Sequence, residues 1–346
     1  MTHAPDAVLQ EFGVASAAVE RFGTGLINDT FLVAAADGER YVLQALNPVF
    51  DPQINIDIDT LTRHLESKGL LTQRLRPTRD GKFWVEIDGC NWRLATYVAG
   101  TCFDQLDNTG QAHAAGKLLG RFHRNVSDLE IELHSQRLGV HDTARHIQVL
   151  RDALIDGRQH RYYEKLAPLA EAILSSADEL PELLPLPDRL VHGDPKISNL
   201  VFDEDGVGVC MIDLDTLAFM PLPLEMGDAF RSWCNPLGED KSAPLFRVDL
   251  FEAAMLGYAS VTSELLEAAE WRAFVPATGI IMVELAARFA TDAFNECYFG
   301  WDATRFADRS THNQVRAAGQ LALSKSLHDH QAEAEAIVIR AFTDPG

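Results

Sequence analysis

Over the first hundred residues, apolar and polar positions alternate in short runs that are separated by glycine turns. Alternation with a period of two residues is typical of strands that bury one face. Asp-Gly turns between such runs favour hairpins. The pattern therefore predicts an antiparallel sheet, with strands over 14–22, 30–36, 39–46 and 91–98, and with hairpin turns at Asp37-Gly38, Asp80-Gly81 and Asp88-Gly89.

Helical periodicity dominates after Gly100, which we take as a boundary. Asp107 and Asn108 are possible N-caps for a helix that runs to Arg124. Further helices are predicted over 6–12, 52–67, 141–155, 158–176, 249–259 and 276–294. Because a single core rarely grows beyond ~250–300 residues, a chain of this length is expected to form two lobes. We predict an α+β protein with a β-rich lobe over 1–99 and a helical lobe over 100–346.

Composition narrows the classes of partner. The net charge of −21 disfavours nucleic acid and anionic membranes, since both require a basic face. The five cysteines are odd in number and form no Cys-x-x-Cys pair, which favours free thiols in a reducing cytosol. The sequence shows no secretory signal and no run of about 18 apolar residues. We therefore expect a cytoplasmic protein, and the pattern predicts no particular oligomeric state.

Candidate chemistry is concentrated between residues 190 and 216. Asp194 and Asn199 are five positions apart, and two predicted strands, 200–202 and 207–212, lead to Asp213. A hairpin with its turn at Asp205-Gly206 would bring Asp213 back beside Asn199. An ATP-dependent kinase needs such a set: a base for the acceptor hydroxyl, and an amide oxygen and a carboxylate for Mg²⁺ on the phosphates.

The same residues allow two other interpretations. The tripeptide from His192 to Asp194 alone is compatible with an ordinary turn. Asp213 and Asp215 alone are compatible with the metal-binding pair of a nucleotide-sugar glycosyltransferase. The joint spacing favours the kinase interpretation, with Asp194 as catalytic base, Asn199 and Asp213 as metal ligands, and Asp215 as the second choice of ligand.

The loop His-Gly-Asp-Pro-Lys-Ile-Ser-Asn over 192–199, followed by Ile-Asp-Leu-Asp over 212–215, resembles the aminoglycoside phosphotransferase family. Its H-G-D-x-x-x-x-N pattern is matched at every fixed position. The resemblance implies a two-lobed protein-kinase-like fold, with Mg²⁺ and ATP as co-substrate. It also implies a glycine-rich turn over the phosphates at Gly23, Gly25 and Asn28, and a hinge that binds adenine at Tyr97 and Val98. His192 is expected to brace the loop by hydrogen bonds.

One position departs from the kinase pattern, since Gln44 stands where a lysine would contact the phosphates. A neutral amide contributes no charge, so we expect phosphate neutralisation to depend more on Mg²⁺. With no lysine to pair, the acidic residues of the following helix, Asp57, Asp59 and Glu66, are interpreted as surface charges.

The runs over 25–31 and 41–47, which include Gln44, resemble the N-acetylhexosamine 1-kinases within the larger family. This resemblance implies transfer to the anomeric hydroxyl of N-acetylglucosamine or N-acetylgalactosamine. Other small alcohols, such as an aminoglycoside, homoserine or choline, are alternative acceptors. A non-catalytic nucleotide-binding module is a further alternative.

Three charged residues of the 276–294 helix, Glu284, Arg288 and Asp292, recur every four positions and therefore share one helix face. A solvated face with ion pairs is one interpretation. The segments 287–292 and 298–299 resemble the hexosamine kinases, which favours a wall of the acceptor pocket where Arg288 and Asp292 bind substrate. A later helix repeats the spacing with His312, Arg316 and Gln320.

Overall fold

Five antiparallel strands form the sheet of the first lobe, as the alternating pattern predicts. The computed structural model describes residues 6–23, 28–136 and 139–344. The strands are β1 (Ser16–Arg21), β2 (Asp29–Ala35), β3 (Arg40–Ala45), β4 (Val85–Ile87) and β5 (Cys90–Thr96), in the order β1-β2-β3-β5-β4. Helix α1 (Asp6–Glu11) covers one face, where Val8, Leu9 and Phe12 pack against buried strand residues.

Two of the predicted turns differ in outcome. Asp88 and Gly89 both adopt positive φ angles, 53° and 74°, and join β4 to β5 in a tight hairpin. A turn also forms at Asp80-Gly81, with Gly81 at φ 80°. In the described part of the chain, however, no named strands flank that second turn, and only an isolated bridge from Leu75 to Ala95 connects the segment to the sheet.

The second lobe is helical, with two short strand pairs inserted. Its helices are α3 (Thr109–Val126), α4 (Thr143–Asp156), α5 (Tyr163–Asp178), α6 (Leu222–Trp233), α7 (Val248–Thr262), α8 (Ala268–Arg272), α9 (Phe274–Asn295), α10 (Arg309–Asp329) and α11 (Gln331–Thr343). Strand β6 (Asp188–Val191) pairs with β9 (Ala218–Pro221), and β7 (Leu200–Phe202) pairs with β8 (Gly208–Met211). The α+β, two-lobed prediction is confirmed.

Local signals set several helix ends. The Asn108 side chain accepts a hydrogen bond from the Gln111 amide at 3.0 Å and so caps α3, as predicted. Helix α5 begins later than expected, at Tyr163, because residues 157–159 form a separate 3-10 turn.

Helix α9 is long and apolar enough to span a membrane by length and composition, but 78% of its most apolar window is buried inside the protein. It packs against α6 and α10, which makes it a core helix.

Helix α2 (Ile54–Ser67) contributes its apolar face to the large core of the second lobe, where Ile54 and Leu61 join residues of α3. This docking buries two of its acids. Asp57 accepts hydrogen bonds from the amides of His134 and Ser135, at 3.0 and 3.1 Å. Asp59 binds Arg74 at 3.2 Å. The interpretation of Asp57 and Asp59 as surface charges was therefore wrong, whereas Glu66 does remain exposed.

All five cysteines are free thiols, and Cys210 and Cys234 are buried.

The close contact between α3 and α7 leads to a prediction about stability. A Cβ atom at Gly116 of α3 would lie 1.9 Å from the carbonyl oxygen of Ala254 on α7, so Gly116→Ala forces the helices apart. We expect it to lower the free energy of unfolding by about 1–3 kcal/mol. Gly279→Ala in α9 is the matched control, since nothing lies within 4 Å of its Cβ position.

The control should instead stabilise by about 0.5–1 kcal/mol, because alanine has less backbone freedom to lose in a helix. Urea unfolding midpoints of both variants measure the difference. Equal midpoints would contradict the close contact.

Candidate active site

The loop that follows β6 is held by one buried carboxylate. Glu225 of α6 accepts hydrogen bonds from the amides of His192 at 3.0 Å and Gly193 at 2.7 Å. The imidazole of His123 lies 3.1 Å from the same carboxylate. Burial by itself would raise the pKa of Glu225, but the hydrogen bonds and charge of His123 and the Gly193 amide hold that pKa below its ordinary value. An ionised Glu225 therefore fixes the backbone just before Asp194.

Gly193 and His192 complete the turn. Gly193 has φ 83°, and a Cβ there would lie 2.0 Å from the carbonyl oxygen of Thr216. The buried His192 ring donates from Nε2 to the carbonyl of Ile212 at 2.9 Å and accepts the Asp194 amide at Nδ1, 3.3 Å away. The ring thus ties the loop to the end of β8.

Asp194 is a partly buried acid of this loop, with 24% of its side chain accessible. Its Oδ2 contacts the Lys196 ammonium at 2.5 Å and the Asn199 amide nitrogen at 3.2 Å. Burial would raise the pKa of Asp194, but the Lys196 charge outweighs it, with smaller help from His192 and Arg231, and the pKa lies below its ordinary value. Asp194 is therefore an ionised carboxylate that can accept a hydrogen bond from a hydroxyl group.

The β7–β8 hairpin brings Asn199 and Asp213 together, because the Ile212 amide donates to the Asn199 carbonyl at 2.9 Å. Asp213 adopts left-handed backbone angles, φ 64° and ψ 55°. Burial raises the pKa of its carboxyl to about 6, and the neighbouring Asp215 and Asp194 charges add to the effect. A buried carboxylate beside other negative charges favours a bound cation.

The donor set suits Mg²⁺ on a nucleotide. Asn199 uses its amide nitrogen toward Asp194, at 2.8 Å from the carbonyl, which leaves its amide oxygen for a cation. Within residues 6–23, 28–136 and 139–344, no group of three or more His, Cys, Asp or Glu side chains is arranged to hold a metal. A cation at Asn199 and Asp213 would therefore complete its shell with water and phosphate oxygens, as Mg²⁺ commonly does.

Asp215 does not join this pair. Both of its oxygens bind the guanidinium of Arg93, with Nη2 2.9 Å from Oδ2, and the Asn28 amide donates to Oδ2 at 2.9 Å. The charge of Asp215, the second choice of metal ligand, is thus neutralised by Arg93.

On the side of the sheet, Gly23 has φ 77° at the start of the glycine-rich turn, and Gly25 lies outside the described residues. Asn28 closes the turn, where its side chain also accepts the Asn47 amide at 2.9 Å. Gln44 accepts a hydrogen bond from Arg93 Nε at 2.8 Å and lies 3.3 Å from the Thr30 hydroxyl. Gln44 thereby orients an arginine that sequence reasoning missed.

The hinge segment follows β5 directly. The Tyr97 amide donates to the Arg40 carbonyl at 3.1 Å, and the Arg40 guanidinium lies 4.0 Å above the Tyr97 ring. The Val98 amide has no acceptor among the described residues, which leaves it available to a ligand. Thr101 then pairs with Phe202 of β7, so the hinge is attached to the hairpin that carries Asn199.

The charged line on α9 is largely buried, so the solvated-face interpretation was wrong. Glu284 accepts from Thr143 at 2.6 Å and His141 at 3.0 Å. Asp292 accepts from the amides of residues 297–299 and from Asn313, at 2.8–2.9 Å. These donors occupy the Asp292 carboxylate, which holds the 297–299 loop. Arg288 is 20% exposed and lies 3.9 Å from Glu284.

The second spaced set, on α10, divides into two environments. Asp240 binds His312 at 2.7 Å and Arg316 at 3.2 Å, and Arg305 joins it at 2.6 Å. Gln320 is fully buried, and in the described part of the chain neither of its polar atoms has a hydrogen-bond partner.

Four residues at this site were not predicted: Arg93, Lys196, Glu225 and Arg231. Arg231 is buried between Asp228, at 2.8 Å, and Glu239, at 2.5 Å. Lys196 lies in the recognised loop, two positions after Asp194. This short spacing was the sequence signal for a contact between the two side chains. Arg93 and Glu225 act across long sequence separations, for which the sequence carries no local signal. Arg231 pairs locally, three positions after Asp228 and eight before Glu239.

Comparison with known proteins agrees with this fold. The model of the phosphotransferase enzyme family matches residues 18–262. An aminoglycoside phosphotransferase from Alicyclobacillus acidocaldarius superposes with a TM-score of 0.64 and 16% identity, covering 96% of this chain and 98% of that chain. A microcompartment-associated aminopropanol kinase gives 0.63 and 16%, covering 94% and 96%. An amicoumacin kinase in complex with AMP-PNP and Ca²⁺ gives 0.62 and 12%, covering 89% and 90%.

The Lys196–Asp194 contact predicts a pH effect. Lys196→Met removes the charge that lowers the pKa of Asp194, so that pKa should rise, and a base that must be ionised then loses its proton only at higher pH. The acid limb of the kcat profile should move to higher pH, with the greatest loss of activity below neutrality. Lys241→Met, at an exposed lysine of the same lobe, is the control. An unmoved acid limb in Lys196→Met would contradict the coupling.

The metal pair predicts unequal losses. Asp213→Ala should raise the Mg²⁺ concentration that half-saturates nucleotide binding more than Asn199→Ala does, since it removes a full charge from a dication. Calorimetric titration of ADP at several Mg²⁺ concentrations measures this. Asp205→Ala removes the same charge from the exposed tip of the same hairpin and should leave Mg²⁺ dependence unchanged. Equal behaviour of Asp205→Ala and Asp213→Ala would place the metal elsewhere.

Proposed function

This chain belongs to the phosphotransferase enzyme family, and on that premise we propose that it transfers the γ-phosphoryl group of ATP to a hydroxyl of a small acceptor. The observation that carries the proposal is the arrangement around Asp194. An ionised, partly exposed carboxylate stands beside an ammonium group, and Asn199 and Asp213 lie at the same end of the adjoining β7–β8 strand pair. A non-catalytic nucleotide-binding module would not need a solvent-accessible base at this place.

Each residue has a task in that reaction. Asp194 orients the acceptor hydroxyl and takes its proton as the oxygen attacks phosphorus. Lys196 keeps Asp194 ionised. Glu225, through the amides of His192 and Gly193, holds the backbone so that the Asp194 carboxylate keeps its orientation.

Nucleotide binding is assigned to the first lobe. We assign Gly23, Gly25 and Asn28 to contact with the phosphates, and the backbone groups of Tyr97 and Val98 to contact with the base. Bound Mg²⁺ would neutralise phosphate charge, and Asn199 and Asp213 would hold it. The related fold of the amicoumacin kinase, which contains AMP-PNP and Ca²⁺, supports a nucleotide with a divalent cation.

The acceptor is proposed to be an N-acetylhexosamine that is phosphorylated at its anomeric hydroxyl. A neutral sugar needs fixed donors and acceptors without uncompensated charge. Carboxylates of the second lobe meet this condition: Glu239 is neutralised by Arg231, and Asp240 by Arg305, Arg316 and His312. Arg288 of α9, which is 20% exposed, offers a planar set of donors for sugar oxygens.

Aminoglycosides, homoserine and choline carry ammonium groups and would favour unpaired carboxylates in the acceptor pocket. The paired acids therefore support the sugar over these alcohols. We assign Arg288 to direct contact with the substrate and Asp292 to support of the 297–299 loop, where the Phe299 ring lies 5.8 Å from the Arg288 guanidinium.

A coupled assay of ADP release over N-acetylglucosamine, N-acetylgalactosamine, kanamycin, homoserine and choline tests the proposal. One of the two sugars should give the highest kcat/KM, with an anomeric phosphate identified by ³¹P NMR. Asp194→Asn should bind MgATP normally and lose about 10²–10⁴-fold in kcat, the usual contribution of a general base. Full turnover by Asp194→Asn would overturn the catalytic assignment, and preference for an amine would overturn the sugar.

Arg288→Ala is expected to raise KM for the preferred N-acetylhexosamine roughly ten- to a hundredfold, because a charge-assisted hydrogen bond contributes about 1.5–3 kcal/mol. Background ATP hydrolysis should stay near that of the wild type, since the phosphate end of the site is untouched. Arg151→Ala, at an exposed arginine of α4, is the control. Arg288 is not in the acceptor pocket if both variants show the same KM.

A further inference from the structure

A buried arginine connects the two lobes beside the proposed metal site. Arg93 lies on β5, directly opposite Gln44 of β3 in the strand register, and only 4% of its side chain is exposed. Its guanidinium binds both oxygens of Asp215, which is 122 residues further along the chain and 1% exposed. The pair therefore joins the sheet of the first lobe to the segment 213–216 of the second lobe, which contains the proposed metal ligand Asp213 and is called the metal loop below.

The surrounding contacts orient this ion pair from several elements. Gln44 accepts from Arg93 Nε at 2.8 Å, and Asn55 of α2 accepts from Nη1 at 3.4 Å. Asn28, at the end of the glycine-rich turn, donates to Asp215 at 2.9 Å. Asn28, Gln44, Arg93 and Asp215 are thus joined in one polar network between the two lobes.

Asp215 is also coupled to the catalytic loop. It belongs to the 3-10 turn Leu214–Thr216, which follows Asp213 immediately. The Thr216 hydroxyl donates to the His192 carbonyl at 2.9 Å, and the Thr216 carbonyl packs against Gly193. A displacement of Asp215 would therefore move Asp213 and the loop that carries Asp194.

We propose that Arg93 is a positioning residue for the metal-bound nucleotide. Its ion pair with Asp215 takes over the anchoring role that a lysine at position 44 would have. The inference rests on the proposed function and goes beyond it. Gln44 supplies no charge, whereas Arg93 places a cation on the next strand and is oriented by Gln44 itself. The bidentate geometry fixes both the distance and the angle between sheet and loop, which a single ammonium group would not do.

The test measures nucleotide binding instead of turnover. Calorimetric titrations of ADP into the full chain, at increasing Mg²⁺, are made for the wild type, Arg93→Gln, Arg93→Lys, Asp215→Asn and the double variant Arg93→Gln/Asp215→Asn. Arg93→Gln and Asp215→Asn should each raise the half-saturating Mg²⁺ concentration about tenfold or more, within the usual range for coupled sites. The double variant should be no worse than the poorer single variant, since both remove one interaction.

Arg93→Lys should recover part of the loss, because it keeps the charge without the planar pair of donors. The matched control is Arg76→Gln. Arg76 is also a partly buried arginine of the first lobe, and it binds the Phe12 carbonyl at 3.0 Å and the Tyr41 hydroxyl at 2.7 Å. Arg76→Gln should reduce thermal stability and leave Mg²⁺ dependence unchanged.

The outcomes are separable. Wild-type Mg²⁺ dependence in Arg93→Gln, measured below the melting temperatures of both arginine variants, would reduce Arg93 to a stabilising residue and overturn the inference. If Arg93→Gln does not fold, Arg93→Lys and Asp215→Asn decide the question by the same titration. Failure of the wild-type chain to bind ADP with Mg²⁺ would overturn the proposed function instead.

Discussion

The candidate chemistry depends on a carboxylate that takes no part in it. Glu225 lies inside the second lobe and accepts the amides of His192 and Gly193, which a strand end leaves without partners. Since unsatisfied buried amides cost free energy, the turn before Asp194 is held in the one conformation that satisfies them. Gly193, at φ 83°, is the residue that permits this conformation, and His123 in turn holds Glu225. The direction of Asp194 is thus decided by groups on α3 and α6.

Around this loop the chain keeps its many acids compensated. Asp194 faces Lys196, Asp215 faces Arg93, and Glu239 faces Arg231. Asp213 forms no such ion pair with the described residues, and burial with neighbouring acids raises its pKa to about 6. An acid whose ionisation is disfavoured therefore lies where the proposed divalent cation would bind. Net charge alone, at −21, does not reveal this local arrangement.

The replacement of a lysine by Gln44 illustrates how a charge can be displaced without being lost. Strand pairing aligns Gln44 with Arg93, so the cation of the site comes from the neighbouring strand. Its partner is Asp215 of the metal loop, whereas the acids of α2 bind elsewhere: Asp57 caps the 134–135 segment, and Asp59 binds Arg63 and Arg74. A polar contact next to the candidate active site therefore joins the two lobes.

What the sequence determined by itself is local. Asn108 caps α3, Asp88-Gly89 forms a hairpin turn, and the apolar runs on either side of Asp205-Gly206 pair as strands, because each depends on neighbours a few residues away. The candidate catalytic loop could be recognised for the same reason, since its motif lies within the eight consecutive residues 192–199.

Only the tertiary structure decided which charges meet. Arg93 and Asp215 are 122 residues apart, and Glu225 reaches His192 across 33. Asp57, expected at the surface, is buried because α2 docks on the second lobe, and Asp292 is turned toward the amides of its own loop. Pairings of this kind follow from how helices and sheets pack, and packing depends on the whole chain, so no local spacing encodes them.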